Sequence, residues 1–225
     1  MEKKKPLGYL GGDIMTHGSN LARQYEYDKF IEAGIPVDIY SPVMNKSIND
    51  KSSMTEEENN HLAEKIVEAD VERLWNSDFT VLSTEQSAIG TMCEMGILYG
   101  WKYMVDKLWD IVVKCKVEGQ KKYFGQGLHQ WEINERIELD QCKAIKEELM
   151  RISRQKNYAH YFDIRTNHLN EKDWRRSFSI NQFLYGIILA ATADGTLHNS
   201  FDEILPILQK EYTKEEQITF DSEWR

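Results

Sequence analysis

Two acidic residues, Glu94 and Asp70, stand in sequence surroundings where a carboxylate can do chemistry. Glu94 belongs to the segment Gly90–Gly96, which follows the apolar, strand-like run Phe79–Ser83. It therefore stands where a strand passes into a helix, at the ligand-binding edge of an open α/β sheet. A carboxylate in that position can act as a nucleophile. The spacing of Thr91 and Glu94 also fits a capping box, in which Glu94 only accepts a backbone N–H.

Asp70 stands out because it lies inside an apolar helical face. Thr55 and Glu58 have the capping-box spacing that begins a helix. At 100° per residue, Asp70 falls in the middle of an arc of apolar side chains, namely Leu62, Ala63, Ile66, Val67, Val71 and Leu74. A carboxylate within such an arc is costly unless it is paired or used. The sequence leaves both roles open: pairing with a backbone N–H or a basic side chain, or a task in a site.

The elements that position these residues alternate between strands and helices. Strands are predicted at Leu7–Leu10, Val37–Ser41, Phe79–Ser83 and Tyr158–Asp163. Helices are predicted at Asn20–Ala33, from Thr55 onward, at Ile180–Ala193 and at Phe201–Tyr212. Gly11, Gly12 and Asp13 form the turn after the first strand, which glycines make easily. This alternation predicts an α/β fold with a mostly parallel sheet.

We interpret the 225 residues as one domain with a mostly helical insertion at about residues 101–157. A composition of 41% apolar and 29% charged residues is typical of a soluble globular protein. The net charge of −9, with scattered basic residues, argues against nucleic-acid binding. Three widely spaced cysteines indicate a reducing compartment without a disulfide framework or a zinc site. Because we find neither a signal peptide nor a membrane span, we expect a cytoplasmic protein without a membrane partner.

Five motifs in order resemble those of the nucleoside 2-deoxyribosyltransferase family. They are Gly8–Asp13, the pair Asp70 and Asp78, Gly90–Gly96, Tyr161–Arg165 and Ile180–Gly186. The resemblance covers most of residues 7–100 and 158–212. It implies a flavodoxin-like, doubly wound sheet and a reaction that moves 2-deoxyribose from one nucleobase to another.

The resemblance also implies roles for individual residues. Glu94 would attack the anomeric carbon, Asp70 would give the leaving base a proton or a hydrogen bond, and Tyr9 would hold Glu94 through its hydroxyl. Asn181 would reach a sugar hydroxyl in the site of a neighbouring subunit, so the protein would be a homodimer or a higher homo-oligomer with shared sites. Further substrate contacts would come from Gly11, Gly12, Asp13, Asp78, Gly90 and Thr91. The partners would be deoxynucleosides and nucleobases, and neither a metal nor an organic cofactor is implied.

Two other functions stay open at this stage. Related glycosidases hydrolyse deoxynucleoside 5′-monophosphates, and the loop Thr16–Asn20 with Arg23 could cradle a phosphate at a helix N-terminus. Asp13 in the same loop argues against that function, because its charge would repel the phosphate. The other alternative is a non-catalytic nucleotide-binding protein. Ala88 favours it, because the family often has an acidic residue six positions before the nucleophile. Glu85 or Gln86, from the same loop, are the candidates to replace that acid.

Overall fold

The computed structural model describes residues 5–45, 52, 54–85, 87–123, 147–161 and 180–213, with residues 110–123 described as backbone only. Five parallel strands pair in the order β2-β1-β3-β4-β5. Their bounds are Leu7–Gly11 (β1), Asp38–Tyr40 (β2), Phe79–Ser83 (β3), Lys156–His160 (β4) and Leu197–His198 (β5). This is the flavodoxin-like strand order, and the direction of winding reverses between β1 and β3. The predicted α/β fold class is therefore confirmed.

Helices connect the strands and cover both faces of the sheet. Their bounds are His17–Glu32 (α1), Glu56–Asn60 (α2), Leu62–Asn76 (α3), Ile89–Tyr123 (α4), 147–154 (α5), Gln182–Ala191 (α6) and Phe201–Tyr212 (α7), and a 3-10 turn covers Pro42–Met44. None of the described helices combines the length and the apolar character that crossing a bilayer needs.

Two hydrophobic cores lie on opposite faces of the sheet, because neighbouring side chains along a strand point to opposite sides. Tyr9 of β1 packs with residues of α3, α4 and α6, whereas Leu10 packs with residues of α1 and α7. The core that contains Tyr9 lies under the helix that carries Glu94.

Local interactions explain where element boundaries differ from the predictions. α1 begins at His17 rather than Asn20, because Thr16 and Ser19 form a reciprocal capping box. The capping box of Thr55 and Glu58 is present, but the helix that it opens stops at Asn60, and α3 begins at Leu62. The short strand β5 was not predicted, since two residues carry too little pattern.

The predicted insertion at residues 101–157 begins as a continuation of α4 and ends with α5 and the start of β4. Val105 of α4 packs against Leu149 and Ile152 of α5 in a small separate core. Residues 124–146 lie outside the described ranges. So do Gln86 and the Phe162–Arg165 part of the fourth motif.

Candidate active site

Tyr9 and Tyr40 stand side by side at the carboxyl edge of the sheet. They are register partners on the parallel strands β1 and β2, and their ring centroids are 5.6 Å apart. Tyr9 is fully buried, whereas Tyr40 is half-buried. Each hydroxyl donates a hydrogen bond to a different carboxylate, as described below.

Glu94 lies in the second turn of α4 and points its carboxylate at β1. The Tyr9 hydroxyl donates to Glu94 Oε1 at 2.6 Å. Glu94 Oε2 is buried and has no hydrogen-bond partner among the described residues. Burial raises the pKa of Glu94 from 4.5 to about 7; the charge of Asp70 adds to the rise, and the bond from Tyr9 opposes it. A buried carboxylate oxygen without a partner is rare in proteins, so this oxygen is an acceptor that a water molecule or a ligand could use.

The capping-box interpretation of Glu94 is wrong. α4 begins at Ile89, so Thr91 lies within the first turn rather than at the position before the helix. The side chain of Glu94 meets Tyr9 instead of a backbone N–H. Thr91 is buried, while Gly90 is exposed and has open space where a side chain would project.

Asp70 of α3 takes its hydrogen bond from a tyrosine. The Tyr40 hydroxyl donates to Asp70 Oδ1 at 3.1 Å. The side-chain amide of Asn45 donates to the Tyr40 oxygen at 3.2 Å, and the guanidinium of Arg73 lies 5.2 Å from the ring centroid. Burial raises the pKa of Asp70, and the bond from Tyr40 opposes that rise. The partner of Asp70 is thus neither a backbone N–H nor a basic side chain.

The apolar arc around Asp70 is narrower than predicted. Leu62 and Leu74 are buried, whereas Ala63 is exposed and Val67 is 62% exposed. Asp70 therefore lies at the border of the buried face, half-covered and still open to solvent on one side.

Gly11 and Gly12 are each closely approached by an ionisable side chain, Glu94 at Gly11 and Arg23 at Gly12. A Cβ at Gly11 would lie 2.9 Å from Glu94 Oε2, and a Cβ at Gly12 would lie 2.1 Å from Arg23 Nη1. Consecutive residues of an extended chain face opposite sides, so Glu94 and Arg23 approach the backbone from opposite faces. Because neither glycine has a side chain, Glu94 and Arg23 can lie this close to the backbone.

Asp13 holds the loop that follows these glycines. Its Oδ1 accepts a hydrogen bond from the backbone of Met15 at 3.0 Å, and its Oδ2 accepts one from the Ser87 hydroxyl at 3.2 Å. The bond from Met15 is the main reason why the pKa of Asp13 lies below its ordinary value. Asp13 is only 6% exposed, so its carboxylate is occupied in joining the loop after β1 to the loop after β3.

A second buried charged cluster lies behind the loop and was missed by the sequence analysis. Arg23 Nη2 is 2.6 Å from Glu26 Oε1 and 3.6 Å from Glu85 Oε1. His160 Nε2 at the end of β4 lies 3.2 Å from the same oxygen of Glu26. The spacing of Arg23 and Glu26 allows a helical pair, but only the fold brings His160 to it. Within the described ranges, no three His, Cys, Asp or Glu side chains are grouped to hold a metal ion.

The cluster contains two residues, Arg23 and Glu85, that the sequence offered for phosphate binding and for base recognition. Arg23, the candidate for binding a phosphate, already faces two carboxylates. Glu85, a candidate to replace the acid at Ala88, faces Arg23 and accepts a hydrogen bond from the Ser83 hydroxyl at 3.2 Å. Ala88 itself is buried.

Asp78 lies apart from the two carboxylates, so the structure does not bring this predicted substrate contact to the site. It is exposed and precedes β3, and its Oδ2 accepts a hydrogen bond from the backbone of Leu7 at 2.8 Å. Parallel strands all begin at the same edge, so Asp78 lies at the opposite edge of the sheet from Glu94. Its bond fastens the start of β1 to the start of β3.

Asn181 caps α6 and is exposed. Its Oδ1 accepts hydrogen bonds from the backbone of Phe183 at 2.9 Å and of Leu184 at 3.3 Å. Phe183 is 75% exposed. The start of α6 therefore offers a polar residue and an apolar one to the surroundings, and no described contact joins Asn181 to Glu94.

The strand order defines an α/β protein with a flavodoxin-like fold, and the two carboxylates form a candidate ligand site at the reversal of winding. The crystal structure of a conserved protein from Enterococcus faecalis V583 is similar to this chain, with a TM-score of 0.52 and 18% sequence identity. The similarity covers 92% of this chain and 99% of that chain, and it supports the fold alone. No protein-family model and no curated protein matches the sequence.

Proposed function

We propose that this protein transfers 2-deoxyribose between nucleobases through a covalent glycosyl-enzyme on Glu94. The proposal rests on the contacts of the Glu94 carboxylate: Tyr9 donates a hydrogen bond to one oxygen, and the other oxygen is buried without a partner in the described part of the chain. A second carboxylate, Asp70, lies close enough to raise the pKa of Glu94 through its charge. Two carboxylates in different surroundings suit the two roles of a retaining glycosyl transfer.

In the first step, a carboxylate oxygen of Glu94 bonds to the anomeric carbon of the sugar. The bond from that carbon to the base nitrogen breaks, and its electron pair stays on the base. The protonated carboxyl of Asp70 gives its proton to the leaving base. Burial of Asp70 supports this role, since the raised pKa helps the carboxyl to keep a proton until it is needed.

In the second step, a nitrogen of the incoming base attacks the same carbon. The ester bond to Glu94 breaks, its electron pair returns to the carboxylate, and the proton of the incoming base passes to Asp70. Two successive inversions leave the configuration of the sugar unchanged. Tyr9 supports both steps, because its hydroxyl fixes Glu94 at the carboxyl end of β1.

We also propose that a second copy of the chain completes each site. The exposed Asn181 and Phe183 at the start of α6 are suited to such a contact. The amide nitrogen of Asn181 is a donor that the cap does not use, because only the side-chain oxygen accepts the bonds from α6.

The alternative of monophosphate hydrolysis is less well supported. A phosphate at the start of α1 would need Arg23 and free backbone N–H groups. Arg23 is buried, and its Nη2 already faces Glu26 and Glu85, while the Thr16 side chain caps the first turn. Asp13 would add a further negative charge beside the phosphate.

Incubation with deoxyinosine and adenine, followed by chromatography, tests the proposal. We expect deoxyadenosine and hypoxanthine to form together with wild-type protein, and neither to form with Glu94→Gln. Intact mass of the protein after reaction with deoxyinosine alone should show one added deoxyribosyl group, which the variant lacks. Glu58→Gln, an exposed capping glutamate, is the matched control and should keep full activity. Free base released without transfer would favour a hydrolase, and binding without turnover would favour a nucleotide-binding protein.

A further inference from the structure

Tyr40 has no role in the proposed reaction so far, yet it occupies the same position on β2 that Tyr9 occupies on β1. The two tyrosines are register partners, and each donates its hydroxyl hydrogen to one of the two carboxylates. We propose that Tyr40 is a positioning residue for Asp70, and that with Tyr9 it sets how a proton is divided between Asp70 and Glu94. The kinetic part of this inference rests on the proposed function.

The contacts of Tyr40 fix the direction of its hydroxyl. The Asn45 amide nitrogen can only donate, so the Tyr40 oxygen accepts that bond and its own hydrogen remains for Asp70. Arg73 lies over the face of the ring and restrains it from the side of α3. Tyr40 therefore presents a hydrogen-bond donor to Asp70 at a defined angle.

Three ionisable side chains of the packed elements surround the two carboxylates: Tyr9 of β1, Tyr40 of β2, and Arg73 of α3, which lies over the Tyr40 ring. The two carboxylates also interact, since the charge of Asp70 acts on Glu94. A hydroxyl that donates to a carboxylate favours its charged form. Tyr40 thus favours the charged form of Asp70, and that charge in turn raises the pKa of Glu94. The proposed first step needs the opposite arrangement, with the proton on Asp70 and the charge on Glu94.

Removing the Tyr40 hydroxyl should therefore move the titration midpoints of Asp70 and Glu94 in opposite directions. In Tyr40→Phe, Asp70 loses a donor, so it should take up its proton at a higher pH. Since Asp70 then carries less charge, Glu94 should lose its proton at a lower pH. Loosened packing would not produce this pattern, because water reaching the site would lower both midpoints.

Carbon-13 NMR of the side-chain carboxyls, titrated in the absence of substrate, measures both midpoints. Asp70→Asn and Glu94→Gln assign the two signals. Tyr158→Phe is the matched control, because Tyr158 is also a buried strand tyrosine that donates to a carboxylate, Glu211 at 3.2 Å, on the other face of the sheet. It should leave both midpoints unchanged. In the transfer assay at the optimal pH, Tyr40→Phe should lower kcat about tenfold with little change in KM, because the Asp70 carboxyl is no longer held in position. The shift in protonation should act separately on the pH profile and extend activity toward lower pH, because Glu94 then stays charged there.

The outcomes separate the two proposals. If Tyr40→Phe leaves both midpoints and kcat as in Tyr158→Phe while the wild type transfers deoxyribose, the role of Tyr40 is refuted and the function stands. If the midpoints move in opposite directions but no form of the protein turns over a deoxynucleoside, the function is refuted and the role of Tyr40 in dividing the proton stands. Midpoints that move in the same direction refute the inference in either case.

Discussion

Replacing Glu94 with Gln is expected to change how the stability of the protein depends on pH. The pKa of Glu94 rises from 4.5 to about 7 on folding, mainly because the carboxyl is buried. A carboxyl whose pKa is raised in the folded state stabilises the fold fully below pH 4.5. This contribution is lost as the pH rises through about 7, because the buried group must then carry a charge.

The size of the loss follows from the two pKa values. The full rise corresponds to about 3 kcal/mol, of which about 2.5 kcal/mol falls between pH 5 and pH 8. The amide of Gln keeps the shape of the side chain, and its oxygen can still accept the hydrogen bond from Tyr9. Since Gln does not titrate, the free energy of unfolding of the variant should gain about 2.5 kcal/mol relative to wild type over that range.

Urea unfolding of both proteins at pH 5 and pH 8 measures this difference, and the other titrating groups cancel in the comparison. Glu58→Gln is the control. Glu58 is exposed, and the backbone bond from Thr55 lowers its pKa, so it stays charged throughout the range and should show no such gain. If the difference in the free energy of unfolding between Glu94→Gln and wild type stays constant from pH 5 to pH 8, Glu94 is not a buried carboxyl with a raised pKa.

Three further predictions concern the geometry of the site. Gly11→Ala should abolish sugar transfer in a folded protein, because the added methyl group would lie 2.7 Å from Tyr9 and Leu82 and 2.9 Å from Glu94 Oε2 and so displace the Tyr9–Glu94 pair; circular dichroism and the transfer assay check this together. Asp78→Ala should cost about 1 kcal/mol of stability in urea unfolding and leave the rate per folded molecule unchanged, since only the bond to the start of β1 is lost. A reassembled mixture of Glu94→Ala and Asn181→Ala should recover about a quarter of wild-type activity, because mixed dimers contain one intact site. No recovery after confirmed subunit exchange would contradict a contribution of Asn181 to the partner's site.

Much of the fold could be predicted from local pattern. Alternating strands and helices specify a parallel sheet, and the chain direction places Gly11 and Glu94 at its carboxyl edge. The same rule places Asp78 at the amino edge, because Asp78 precedes a strand. A matching spacing in a family motif cannot say at which edge a residue stands, so the resemblance alone did not separate Asp78 from Glu94.

The partners of the site residues depend on strand order and register, which the sequence pattern does not contain. Tyr40 meets Asp70 only because β2 pairs with β1 and places Tyr40 beside Tyr9. His160 meets Glu26 only because β4 ends above α1. Each contact joins two residues that are far apart in the chain. Neither residue of either pair stands out in the sequence, so the sequence pattern does not predict the contact.

The glycine pair after β1 has a consequence for how the protein tolerates genetic variation. A larger residue at position 12 can be compensated by a second substitution, since shortening Arg23 would make room for the added side chain. At position 11 one of the groups that must give way is Glu94 itself, so any second change that makes room by shortening Glu94 removes the proposed nucleophile. A selection for restored activity should therefore yield second-site suppressors at Arg23 for position 12, and only true revertants for position 11.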